Sequence, residues 1–147
     1  MSEEKNQIAQ TSAANLAYLG DCVYELMVRE YLVRHLSAHP SVESLSYVTA
    51  KVQSAVMDKL LPYLSEEETD IYKRGRNCGH SSIPKSSTAG EYRRATGLEA
   101  LFGWLHLMGR QDRIRELFGL AFDEQSERSD TDDRSPEIDS TADSETE

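Results

Sequence analysis

Apolar side chains recur along this chain at intervals of three and four residues. The clearest run is Leu16, Leu19, Val23, Leu26 and Met27, continued by Tyr31. That spacing puts them on one stripe of a helix predicted over Asn15 to Leu36. His39-Pro40-Ser41 punctuates the pattern, because proline biases the residue before it away from the helical region and Ser41 is suited to cap a new helix. A second helical region is predicted from Val42 to Leu64, with a break near Val48 left open. It is clearest from Lys51 to Leu61, where Val52, Ala55, Val56, Lys59 and Leu60 fall on neighbouring faces, and Pro62 marks its fraying end. Ser65-Glu66-Glu67-Glu68 has the pattern of a capping box and opens a short helix to about Arg74. Gly75 to Gly90 reads as a loop. Thr88-Ala89-Gly90-Glu91 repeats the capping pattern ahead of an apolar helix from Tyr92 to Met108, which Gly109 ends, and a last helix runs from about Gln111 to Phe122. No segment alternates as a strand would and no internal repeat is visible. The expected fold is all-α, with five or six packed helices.

A chain of 147 residues with 38% hydrophobic content builds one ordinary core. No apolar run is long enough to span a bilayer, and Met1 to Gln10 is polar rather than signal-like, so a cytoplasmic protein without a membrane is expected. Cys22 and Cys78 are far apart and in no metal-binding spacing, which predicts free thiols. The net charge of −10 argues against a nucleic-acid partner until it is divided by position. Residues 123 to 147 hold 11 acidic and 2 basic side chains, leaving 15 acidic and 14 basic in residues 1 to 122. The excess therefore sits in a Ser-, Asp- and Glu-rich segment with no apolar periodicity. The expected organisation is a folded domain over 1–122 and an acidic disordered tail over 123–147, whose sign opposes RNA.

Two carboxylates keep unusual company. Asp21 lies within Leu19-Gly20-Asp21-Cys22-Val23-Tyr24-Glu25-Leu26, and Glu99 within Ala95-Thr96-Gly97-Leu98-Glu99-Ala100-Leu101-Phe102-Gly103-Trp104, the most apolar stretch of the chain. An ionised group in such a setting needs a compensating partner. A divalent cation shared by the two acids satisfies both. Magnesium suits hard oxygen ligands and usually takes one or two carboxylates plus water and phosphate. The alternative is that each acid edges its apolar stripe and pairs with an arginine. Glu25 shares a helix face with Asp21, and Arg29 comes after it at ion-pair spacing, so a structural role is expected for Glu25. Cys22 as a nucleophile is disfavoured, since no histidine is near in sequence and a buried thiol is the commoner case. His106, seven residues past Glu99, is assigned to packing.

Lys73, Arg74, Arg76, Lys85, Arg93 and Arg94 form a basic cluster in which Glu91 is the only intervening acid. Cationic side chains on mobile backbone suit phosphate, and A-form RNA is read mainly through its shape, phosphates and 2′-hydroxyls. Gly75, Asn77, Gly79 and the loop serines are expected to let backbone N–H groups approach phosphate oxygens. A solvated basic loop is the plainer alternative.

Leu16-Ala17-Tyr18-Leu19-Gly20-Asp21-Cys22-Val23-Tyr24-Glu25-Leu26 resembles the signature helix of the ribonuclease III superfamily in its short, Mini-ribonuclease III branch. Lys73-Arg74-Gly75-Arg76-Asn77 resembles that branch's basic loop, Pro84-Lys85 and Tyr92-Arg93 extend the match, and Leu98-Glu99-Ala100-Leu101-Phe102-Gly103-Trp104-Leu105 resembles the second acidic motif. Four motifs fall in order over residues 15 to 108. The resemblance implies a ribonuclease III-like helical endonuclease domain in which Asp21 and Glu99 are the catalytic, metal-binding carboxylates and Mg2+ is the cofactor. It also implies Lys73, Arg74, Arg76, Asn77, Lys85, Arg93 and Arg94 as RNA-binding residues.

The longer enzymes of the superfamily carry two further acids where this chain has Ala17 and Thr96, and the short branch likewise lacks them. Cys22 stands where alanine is usual. Residues after Phe122 offer no pattern for a double-stranded-RNA-binding domain, so the catalytic dimer is expected to grip RNA alone. The implied activity is magnesium-dependent hydrolysis of double-stranded RNA by a homodimer, leaving 5′-phosphate and 3′-hydroxyl ends. Its implied substrate is precursor 23S ribosomal RNA, matured at both ends, with a ribosomal protein as a possible presenter. Two rivals stand beside this reading: a non-catalytic ribonuclease-III-like module binding RNA in a ribosomal assembly, and a helical adaptor that binds protein. Retention of both acids favours the enzyme.

Overall fold

The computed structural model describes residues 2–79 and 83–130. Among them are seven helices and no strand: α1 (Glu3–Gln10), α2 (Ala13–Arg34), α3 (Pro40–Glu43), α4 (Ala50–Leu60), α5 (Glu66–Asn77), α6 (Ala89–Leu107) and α7 (Gln111–Asp130). Short 3-10 turns, Ser44–Ser46 and Leu61–Tyr63, come after α3 and α4. None of the described helices is long and apolar enough to cross a membrane.

The helix starts depend on side-chain oxygens that accept otherwise orphaned N–H groups. Ser12 Oγ accepts from Asn15 N at 3.1 Å and Thr49 Oγ1 from Val52 N at 3.2 Å. Both capping boxes form: Ser65 and Glu68 exchange bonds of 3.2 and 2.8 Å, and Thr88 and Glu91 bonds of 3.1 and 3.3 Å. The second predicted region divides at Tyr47–Thr49, where Thr49 begins α4 anew. The structure also contains α1, which a polar segment with one buried apolar residue, Ile8, did not announce. Gly109, just past α6, has φ +71°, the left-handed conformation open to glycine. α7 continues past Phe122 to Asp130, and the expected tail from 131 onward lies outside the described residues.

α6 is the central element. Leu98, Ala100, Leu101, Phe102, Trp104 and Leu105 are all buried, so the helix is covered on nearly every side, by α2, α4 and α5. On α2 the buried face is Leu16, Ala17, Gly20, Val23, Tyr24, Val28 and Leu32, with Leu19, Met27 and Tyr31 partly covered. Leu26 is not part of it: at 63% exposed it faces outward. Tyr24 is fully buried and donates to the Tyr47 carbonyl at 2.7 Å, while Tyr31, Tyr47, Phe118 and Phe122 form an aromatic cluster that seats α7.

Glu68 is a capping residue with a second role. It is 2% exposed and accepts two bonds of 2.9 Å from Arg113 of α7, whose guanidinium also donates to the Tyr63 carbonyl at 2.7 Å. Burial alone raises its carboxyl, but the Arg113 and Ser65 hydrogen bonds outweigh that and hold it below the ordinary carboxylate range.

Candidate active site

α2 and α6 cross with their backbones in contact, and glycines make the crossing. A Cβ placed on Gly20 would overlap the Glu99 carbonyl and lie 2.8 Å from Gly103 N. One placed on Gly103 would overlap the Leu16 carbonyl oxygen and stand 3.0 Å from Gly20 N. Asp21 is next to Gly20 in the chain, and Glu99 supplies the backbone that Gly20 touches. The two acidic motifs are thus brought together by the small residues embedded in them.

Neither acid has a hydrogen bond or ion pair from its side chain among the described residues. The arginine alternative is not what the chain adopts: Arg29 pairs with Glu25 at 2.8 Å, and Arg94 bonds Ser54 Oγ at 2.7 Å and lies 3.9 Å from Asp58. Burial, and then the charge of Asp21, push the Glu99 carboxyl up to about 8. Asp21 sits on the exposed side of α2 and is raised by partial burial and then by Glu25. Tyr24 is likewise held as a neutral phenol by burial and by the Glu99 charge. Two carboxylates with no counter-ion, each stabilised toward its proton, fit a divalent cation that would take that proton's place.

The donor set is sparse. No group of three acidic, histidine or cysteine ligands occurs among the described residues. Ala17 is buried and Thr96 donates to the Tyr92 carbonyl at 2.9 Å, so neither place supplies a further acid. A hard cation that keeps several waters suits such a site better than one needing a full protein cage. Cys22 is exposed, not buried as expected, and His106 is an exposed residue whose ring meets Gln111 at 2.8 Å.

Glu99 also walls a cleft of about 440 Å³ between the start of α4, the segment before α6 and α6 itself. Tyr92, Ala95, Thr96 and Glu99, at helical spacing on α6, form one side. Thr49, Lys51 and Gln53 line another, with Pro84, Ser86 and Ser87 closing the rim. Sequence reading singled out none of the α4 residues for this role. They stand more than forty positions from Glu99, and no local signal ties them to it.

The basic cluster divides. Lys73 and Arg74 are helical as expected, but α5 runs on to Asn77, so Arg76 and Asn77 lie on its last turn rather than in a loop, a correction with a packing cause. Gly75 is helical and buried because a Cβ there would come 2.6 Å from Ala100 Cβ and 2.9 Å from Gly97 Cα. Its backbone is therefore closed to phosphate. Gly90, too, is inside α6. Arg76, Asn77 and Arg93 share a cavity of about 300 Å³ with Cys78 and Gly79. Arg76 also stands 5.6 Å over the Tyr72 ring. Arg74 donates to the Thr11 carbonyl at 3.2 Å and Arg94 is held by α4, whereas Lys73 and Lys85 are exposed.

Residues 14–110 match the ribonuclease III domain. A Mini-ribonuclease 3 of Symbiobacterium thermophilum is 43% identical over 115 residues, covering 74% of this chain and 85% of that protein. The Mini-ribonuclease 3 of Enterococcus faecalis is 41% identical over 113 residues, covering 74% and 86%. A crystal structure of a Fusobacterium nucleatum protein is similar with a TM-score of 0.71 at 31% identity, covering 79% of this chain and 95% of that one.

Proposed function

The chain belongs to the ribonuclease III family and is an endoribonuclease, and on that premise we propose that it cuts double-stranded RNA as a magnesium-dependent homodimer with Asp21 and Glu99 as its metal-binding, catalytic carboxylates. The observation that carries the assignment is the Asp21–Glu99 pair, two acids raised toward protonation and left without a cationic partner among the described residues. When bound there, magnesium supplies Lewis-acid polarisation of a phosphate oxygen and lowers the pKa of water. Asp21, on the exposed side of α2, and Glu99, more deeply covered on α6, would together hold the cation. Tyr24, a buried phenol bonded to Tyr47, stiffens α2 behind the pair.

The RNA is gripped by Lys73, Arg74, Arg76, Asn77, Lys85, Arg93 and Arg94, among which Arg76, Asn77 and Arg93 form the phosphate cavity. Dimerisation is supported by an uncovered apolar surface. Tyr18, Leu26 and Val33 share one side of α2 at 85%, 63% and 64% exposure, with Leu36, Val42 and Leu45 beside them. Patches of this kind mark association sites. In this reading a two-fold contact there gives the dimer two acidic pairs, one for each strand of a duplex.

The cleavage leaves 5′-phosphate and 3′-hydroxyl ends. Its cellular substrate in this reading is precursor 23S ribosomal RNA, matured in the cytoplasm, with a ribosomal protein as a possible presenter. The catalytic domain occupies residues 1–122 and the acidic segment 123–147 stands outside it.

The test is cleavage of duplex RNA by the purified protein across a magnesium series and with a chelator. Metal-dependent cuts with those termini are expected. Duplex binding without cleavage at any magnesium concentration overturns the enzyme reading in favour of an RNA-binding module.

A further inference from the structure

A groove of about 300 Å³ runs between the second half of α2 and the first half of α7, built from residues that the catalytic reading leaves unused. Its floor is apolar. Met27 and Tyr31 of α2 are partly buried there and Phe118 of α7 is 5% exposed, with the Tyr31 and Phe118 rings 5.9 Å apart. Its rim is basic. Arg34 and Arg115 stand exposed on the two walls against one acid, Glu30, which is bonded to Arg34 at 2.8 Å; Arg115 has no ion pair among the described residues.

Such a lining suits a short segment with one apolar side chain to cover the rings and acids beside it to meet the arginines. The chain carries a segment of that description. Residues 131–147, which come after α7 and lie outside the described residues, hold seven acidic side chains against one basic, and Ile138, their only large apolar side chain, is flanked by Glu137 and Asp139. The tether is also long enough. α7 ends at Asp130, about 18 Å of helix beyond Phe118, and the chain from there to Ile138 spans up to about 27 Å when extended, sufficient to return along α7 to the groove. A segment tied on in this way meets the groove at an effective concentration of about a millimolar, so a contact too weak for separate molecules is still made.

We propose that Glu137-Ile138-Asp139 docks in the α2–α7 groove of its own chain, with Ile138 over Tyr31 and Phe118 and its flanking acids toward Arg34 and Arg115. The groove shares no residue with the cavity formed by Arg76, Asn77 and Arg93. In the ribonuclease reading, docking therefore keeps a polyanion from competing with RNA for those arginines. The docking itself does not depend on that reading.

NMR of the methyl-labelled full chain tests this. In wild type at low salt, the Ile138 methyls should show nuclear Overhauser contacts to the Tyr31 or Phe118 ring and a ring-current shift, and dilution should change neither. Arg115→Glu should lower the ratio of docked to free segment about threefold, the modest effect expected of one exposed charge. Ile138→Asp should move the Met27 methyl resonance as the groove empties. Ile114, fully buried on α7 beside Arg115, is the folding control, and its methyls should stay in place in both variants. An Ile138 methyl without ring contacts overturns the proposal. So does one that Arg76→Glu releases and Arg115→Glu does not, which would put the acids on the other basic cavity, or one that loses its contacts on dilution, which would put them on a second copy. Duplex cleavage is not a readout here, so failure of the ribonuclease reading would leave this result standing.

Discussion

Gly20 of α2 rests against the backbone carbonyl of Glu99 on α6, so closely that a single methyl group would overlap it. This contact fixes how far the Asp21 side chain stands from Glu99, because Asp21 is the next residue along the helix. Packing and chemistry are therefore joined at one crossing.

Gly20→Ala should be severely destabilising. The atoms it would strike are backbone, which cannot turn aside, so the helices must separate; a cost of about 3 kcal/mol or more is expected. Gly79→Ala is the control, since nothing stands within 4 Å of a Cβ there and its effect should stay within about 0.5 kcal/mol. Urea unfolding of both variants gives the comparison, and equal losses would show that the crossing is not a close one.

Asp21→Asn should abolish cleavage while leaving the fold in place. Asp21 is exposed, so its replacement leaves no buried void, yet it removes one of the two charges proposed to hold the metal. A fall of about a thousandfold in turnover, equivalent to roughly 4 kcal/mol of transition-state stabilisation, is expected, with duplex binding retained. Turnover at the wild-type level in saturating magnesium would remove Asp21 from the active site.

Metal-free stability should fall as pH rises from about 4.5 to about 8. Glu99 has its folded pKa raised from 4.5 to about 8, so the folded state holds the proton where the unfolded state has released it. Its favourable contribution is complete below the lower value and is lost through the higher one. At about 1.4 kcal/mol per unit the whole effect amounts to a few kcal/mol at most. Thermal melts in chelator should show the slope in wild type and its loss in Glu99→Gln. Magnesium should stabilise wild type more at pH 9 than at pH 6, because it competes with that proton.

Leu26→Glu combined with Val33→Glu should convert a dimer to a monomer without loss of helix content. Both side chains are mostly exposed in the protomer, so the charges cost folding little but are unfavourable in an apolar contact. Light scattering reports the mass, and a dimer that persists at micromolar concentration would place the subunit contact elsewhere.

Local signals determined a good deal of this protein. Period-3.6 apolar spacing gave the long helices, and Ser65–Glu68 and Thr88–Glu91 announced helix starts that depend only on neighbours in sequence. The Glu25–Arg29 pair was legible for the same reason, since four residues along a helix is a fixed distance. Asp21 and Glu99 stood out because charge in apolar company is costly wherever the helices pack.

Relations between distant segments were decided by the tertiary structure. Gly75 reads as the start of a loop, since glycine weakens an isolated helix, but packing against Ala100 and Gly97 keeps it helical and brings Arg76 and Asn77 onto α5. Leu26 has the spacing of a core residue and is exposed, because a helix with apolar positions on two sides does not say which one its own chain will cover. Arg113 completes the buried Glu68, and residues at the start of α4 and just before α6 line one cleft with Glu99, from segments far apart in sequence. Periodicity describes one helix at a time. Which faces touch depends on where side chains are small enough for two backbones to close, and only the assembled helices show that.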